Sequence, residues 1–85
     1  YLKEMSIDEI KIDRGFVSDM EINEKNRAIA NTIILLAKQF NILVTAEGVE
    51  TKEQLEILEE LGCDKAQGYY FSKPIPKEEF EKLLD

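Results

Sequence analysis

Four polar residues stand where short apolar runs end, and their types suit acid–base or metal chemistry. Lys11 and Asp13 close the run 9–13, Glu47 follows the run 42–46, and Gln67 lies within 65–71. The chain contains no histidine, which removes the commonest general base and the usual zinc ligand. Any such chemistry must therefore use carboxylates, lysine, or the amide of glutamine.

The elements that would position these residues are legible from periodicity. In residues 9–13, Ile10 and Ile12 share one face of a β-type segment, and Lys11 and Asp13 share the other. A polar connection over 17–25 leads to apolar residues at Ile29, Ile33, Leu36, Ala37 and Phe40, one face of a helix that stops at Asn41. Residues 42–46 form an apolar, β-branched run that reads as a buried strand ending in Glu47 and Gly48. Thr51 with Gln54 three positions later is a capping-box signature. Leu55, Leu58 and Leu61 mark the helix that follows, and Gly62 suits a left-handed C-terminal cap. Residues 65–71 are a third strand, Pro74 and Pro76 bound a turn, and Phe80, Leu83 and Leu84 give a last helix its apolar face. Tyr1, Leu2 and Met5 read as the tail of an earlier helix.

Strand and helix thus alternate over three βα units. That order predicts an α/β fold with parallel strands and right-handed crossovers. A parallel sheet is normally covered on both faces, and here helices exist for one. A closed (β/α)₈ barrel takes roughly 250 residues, so 85 residues make either a compact open α/β piece or a section of a barrel. In the strands, Leu43, Thr45 and Glu47 share a face, as do Lys65, Gln67 and Tyr69. Active sites of α/β proteins sit at the carboxyl ends of strands. Spacing alone leaves two readings open: Lys11, Glu47 and Gln67 converge on a shared mouth, or each is a solvated strand-end residue.

Composition narrows the partners. A net charge of −7, from 18 acidic and 11 basic residues, argues against a DNA or RNA footprint. It leaves room for a phosphate-bearing small ligand, because divalent ions neutralise carboxylates and phosphates alike. Cys63 is the single cysteine, so no internal disulfide forms, which fits a reducing, cytoplasmic setting. The longest apolar run, 33–37, is far too short to span a bilayer. The opening at Tyr1, without a starting Met, reads as a piece of a longer protein.

Three segments carry a specific resemblance. They are Ile7-Asp8-Glu9-Ile10-Lys11-Ile12-Asp13-Arg14-Gly15-Phe16-Val17, Val44-Thr45-Ala46-Glu47-Gly48-Val49-Glu50-Thr51, and Leu61-Gly62-Cys63-Asp64-Lys65-Ala66-Gln67-Gly68-Tyr69-Tyr70-Phe71-Ser72-Lys73-Pro74. In order and separation they resemble the closing motifs of the EAL domain family: KIDxSFV, AEGVET and LGCDxxQGYxFSxP. The resemblance implies that residues 1–85 are the last three βα units of a (β/α)₈ TIM-type barrel. Such barrels hydrolyse cyclic di-guanylate to a linear dinucleotide with two divalent metals, magnesium or manganese. It also implies roles. Lys11 looks like the lysine that contacts the attacking water or the phosphate. Glu47 looks like the metal-site glutamate that also helps activate water, Glu50 like the glutamate steadying an active-site loop, and Gln67 like the glutamine near the water network.

The residue types agree with that chemistry, which needs an activated water and charge relief at phosphoryl oxygens. Asp13 is expected to anchor a loop or pair with Arg14 rather than to react. Tyr69, Tyr70 and Phe71 are expected mostly in the core, with stacking on guanine as the other option. Cys63 reads as a small buried hydrophobe, and Lys73 as either ligand-facing or solvated. Gly15 stands where the family usually has Ser. The family's Glu-Ala-Leu strand, its Asn with the following Glu, and its Asp-Asp pair are not in this sequence. The chain alone is therefore expected to hold no metal tightly and to be inactive. It is also expected to associate with further copies through its open barrel face. The alternative is an EAL domain that serves as a cyclic di-guanylate receptor or a protein-interaction module.

Overall fold

The computed structural model describes residues 9–68, 71–80 and 82. Its elements are β1 (Glu9–Ile12), α1 (Arg14–Val17), α2 (Glu24–Gln39), β2 (Leu43–Val49), α3 (Lys52–Leu61), β3 (Lys65–Gly68) and β4 (Phe71–Pro76), then a 3₁₀ turn over Lys77–Glu79. The sheet order is β1-β2-β3-β4. β1, β2 and β3 run parallel, as the alternating pattern requires, with Lys11 opposite Thr45 and Glu47 opposite Gln67.

Each helix begins and ends for an identifiable reason. Asn23 caps α2 by accepting the amides of Lys25 and Asn26. The helix stops where Asn41 takes a left-handed φ of 57°, tolerable for an Asn. Thr51 and Gln54 form the capping box of α3, and Gly62 closes that helix at φ 89°.

The strands alternate cleanly. Ile12, Val44, Ala46 and Ala66 point to the helix side and are buried, and Ile10 packs against them. Their neighbours Glu9, Lys11, Thr45, Glu47, Lys65 and Gln67 occupy the opposite face by the same alternation. From the helices come Ala30, Ile34, Ala37, Leu55 and Leu58, all buried. Ile10 is thus a helix-side residue, and the barrel-facing surface is polar apart from Leu43, which stays 47% exposed.

Four expectations are corrected. The buried stripe of α2 is Ala30, Ile34 and Ala37; Ile29, Leu36 and Phe40 remain exposed, and Ile33 is partly buried. The helix has two adjacent apolar stripes, and the small alanines let the backbone approach the sheet. The connection after β1 is not simply polar: it contains α1, and Val17 and Met20 are fully buried. The third strand ends at Gly68, and β4 turns back antiparallel to it, pairing Gly68 with Phe71 and Lys65 with Pro76. Pro74 and Pro76 therefore lie in a strand rather than bounding a turn, which proline permits at a sheet edge. After Pro76 a 3₁₀ turn leads into helical residues at Phe80 and Lys82, where the last helix is expected, and Phe80 is buried. The readings placed on Tyr1, Leu2, Met5, Tyr69, Tyr70, Leu83 and Leu84 fall outside the described residues, as do those on the side chains of Phe71 and Lys73.

Candidate functional site

The carboxyl ends of β1, β2 and β3 bring three of the expected site residues to one rim. Lys11 Nζ lies 3.8 Å from Glu47 Oε2, with side chains 59% and 37% exposed. Gln67 is half-buried on β3 in register with Glu47. A cation, an anion and an amide thus share one polar sheet face within two rows of side chains. An exposed pair of this kind adds little to folding stability, so its placement calls for another reason.

A second polar layer lies beneath. Glu9 accepts a hydrogen bond from Thr45 Oγ1, and Lys65 Nζ stands 3.9 Å from Glu9 Oε2. Thr45 is buried although it sits on the polar face, and Glu9 satisfies its hydroxyl. The sequence reading passed over Glu9. Its alternation with Lys11 was the signal that could have found it.

An irregularity follows Glu47 in its own strand. The pairing of β2 with β3 shifts register between Glu47 and Val49, and Gly48 takes a φ of 76°. A Cβ on Gly48 would stand 2.4 Å from Arg14 Cβ, so the first turn of α1 rests directly on this glycine. Gly68 is as tightly placed: a Cβ there would come within 2.0 Å of the Val49 carbonyl oxygen. Both glycines thus serve close backbone approach beside the rim.

Asp13 stands between β1 and α1. It caps α1, its Oδ2 accepting the Gly15 N–H at 3.0 Å. Glu50 is exposed at the start of the β2–α3 junction, and its N–H donates to Gln54 Oε1 at 2.7 Å. Glu21 was missed, because only long-range contact reveals it. Its carboxylate accepts from Thr51 Oγ1 and Gln54 Nε2, both at 3.1 Å. Partial desolvation opposes its ionisation, but its own backbone N–H, Gln54 and Thr51 outweigh that and hold it below the usual carboxylate range. Cys63 is the buried small residue expected. Burial pushes its thiol up to about 11, with the Lys65 and Val44 carbonyls as acceptors at 3.1 and 3.5 Å.

Among the described residues no group of three or more acidic, Cys or His side chains gathers as a metal cage. Glu47 brings carboxylate oxygens, the donor type that magnesium or manganese takes, so it fits as one ligand of a larger set. A solvent-open recess of about 550 Å³ lies elsewhere, at the start of α2 between Asp19 and Arg27. Asn23 there already caps the helix. Among the described residues no helix is long and apolar enough to cross a membrane.

Comparison with known proteins places this rim in context. The EAL domain model matches residues 1–74. The signaling protein YkoW of Bacillus subtilis is 43% identical over 84 residues, which is 99% of this chain and 10% of that protein. The cyclic di-GMP phosphodiesterase NbdA of Pseudomonas aeruginosa is 40% identical over 99% of this chain and 11% of its own length. The solved c-di-GMP complex of the phosphodiesterase PaMucR, from the same species, superposes with a TM-score of 0.78 at 40% identity, over 93% of this chain and 32% of that one. The chain spans about a tenth of the curated relatives it matches.

Proposed function

Because the chain belongs to the EAL domain family, we propose that it forms the closing section of a cyclic di-guanylate phosphodiesterase barrel and contributes one wall of the active site. The observation carrying this reading is the 3.8 Å approach of Lys11 to Glu47 at the carboxyl ends of adjacent parallel strands. The names of NbdA and of the PaMucR complex support the substrate class.

In this reading the chain's own residues divide the work. The Lys11 ammonium holds a phosphoryl oxygen or the attacking water as a point charge. Glu47 contributes carboxylate oxygens to the divalent site and accepts a proton from that water. Gln67, alongside Glu47, orients the water through its amide. Glu50 and Asp13 act on loops: one begins the β2–α3 junction, the other caps α1. Two divalent ions, magnesium or manganese, would lower the pKa of water and relieve charge on the phosphoryl oxygens when bound. The remaining ligands come from the rest of the complete domain. Hydrolysis then joins water oxygen to phosphorus and releases one sugar oxygen, which takes up a proton to become a hydroxyl, opening the ring to a linear dinucleotide.

The chain alone has the wall without the rest of the cage, and it is proposed to be inactive. Its uncovered sheet face and edge strand β1 are proposed to pair with another copy, which a mass by light scattering tests. The functional test is incubation with cyclic di-guanylate and manganese. The complete domain should give the linear dinucleotide, while the 85-residue chain should give no turnover above its Glu47→Ala control. Tight binding without turnover by the complete domain would replace the enzyme reading with the receptor one.

A further inference from the structure

Glu21 belongs to none of the segments that carry the family resemblance, yet it is joined to the junction that follows Glu47. Gln54, only 3% exposed, directs its Oε1 to the amides of Glu50 and Thr51, at 2.7 and 3.3 Å. Thr51 Oγ1 accepts the Gln54 backbone N–H at 3.1 Å. These bonds leave each side chain a donor to offer: the Thr51 hydroxyl its proton, and Gln54 its NH₂. Both are donors. A carboxylate, which only accepts, is the matching partner, and Glu21 binds both. It also places negative charge at the N-terminus of α3, where the helix dipole favours it.

The segment that carries Glu21 is itself held at two further points. Arg14 lies against Gly48, and Asn26 Nδ2 donates to the Ser18 carbonyl at 3.1 Å. The segment between β1 and α2 is thus laid across residues 48–51, with Glu21 as its far clasp. We infer that Glu21 is a positioning residue that locks the β2–α3 junction and so holds Glu47 and Glu50 at the rim. This rests on the phosphodiesterase reading for its catalytic consequence, but the clasp itself can be measured without it.

The test uses the complete domain and five forms: the parent sequence, Glu21→Ala, Glu21→Gln, Gln54→Glu, and the double variant Glu21→Gln with Gln54→Glu. In the double variant every bond is kept with the partners exchanged: the new amide at position 21 would donate to the new carboxylate at position 54 and accept from Thr51. Amide hydrogen exchange at Glu50 and Thr51 is read beside kcat and KM for cyclic di-guanylate. Glu21→Ala should speed exchange at both amides and lower kcat, each about tenfold, with KM unchanged, as expected when a charge-assisted bond that positions a reacting group is lost. Gln54→Glu alone sets two carboxylates face to face and should do the same. The double variant should return close to the parent on both readouts, which a general loss of stability would not do. Unchanged exchange in Glu21→Ala overturns the clasp. Faster exchange with unchanged kcat overturns the positioning role. A parent domain without hydrolysis would instead refute the phosphodiesterase reading, and the exchange rates would still decide the clasp.

Discussion

Lys11 Nζ and Glu47 Oε2 lie 3.8 Å apart although their residues come from different strands of the parallel sheet. Lys11 is in register with Thr45, so it reaches one row further along the sheet to meet Glu47. Opposite charges at that distance in a largely solvated setting stabilise the fold by little. In the function proposed above, the pair is the resting state of a site in which a phosphate and a cation would separate the two side chains.

Activity and stability should therefore separate at Lys11. In the complete domain, Lys11→Met should leave the unfolding free energy within about 1 kcal/mol of the parent. The same change should lower kcat by about 10²–10³, the scale of losing one group that stabilises developing charge. Lys11→Arg should not restore the rate, because a planar fork replaces a compact charge. Urea unfolding and steady-state kinetics on the same samples check both halves.

Gly48 should resist every substitution. Alanine there meets a left-handed backbone and a methyl-to-Cβ contact with Arg14 at 2.4 Å. Gly48→Ala should cost about 3 kcal/mol, combining left-handed strain with overpacking. Adding Arg14→Gly removes the opposing Cβ and should recover part of that loss but not the strain. Denaturant midpoints of the single and double variants decide it.

The corrected face of α2 gives a second contrast. Ile34 is fully buried whereas Leu36 is 59% exposed. Ile34→Ala should cost about 2–5 kcal/mol through lost burial and a cavity, and Leu36→Ala well under 1 kcal/mol if that flank is solvated in the complete domain. Equal losses would mean that the second stripe is covered by a neighbouring helix or chain.

Glu21 gives a pH dependence with a definite sign. Its folded-state pKa is lowered, so its ionised form stabilises the fold above the unfolded value, about 4.3 for Glu. That contribution should be present at neutral pH and fade as pH falls from there through the lower folded value. The difference in urea midpoint between the parent and Glu21→Gln, followed from pH 7 to about pH 3, should shrink along that path. A difference that grows on acidification would contradict the assignment.

Much of this was legible in the sequence because local rules were enough. The capping box at Thr51 and Gln54, the helix stop at Asn41, the left-handed cap at Gly62, and the parallel order of three strands depend on short-range pattern and handedness. Strand alternation placed Lys11, Glu47 and Gln67 near strand ends but left convergence open, and their assignment as a site came from the family resemblance. What was hidden depends on distant partners or on misleading residue types. Glu21 acquires its role only through contacts with Thr51 and Gln54, some thirty residues away. β4 was obscured because prolines read as turn residues, and at an edge they are compatible with a strand. α1 has four residues, too few for a helical period to show.

The central claim is that the carboxylate at the tip of β2 takes part in opening a cyclic phosphodiester. It is tested most directly by turnover of cyclic di-guanylate in the complete domain at saturating manganese, comparing the parent with Glu47→Gln. The substitution keeps size and shape, removes the charge and turns one acceptor oxygen into a donor, so the rate should fall at least about 10²-fold while the domain stays folded. A Glu47→Gln domain that opens the ring at the parent rate would contradict the account.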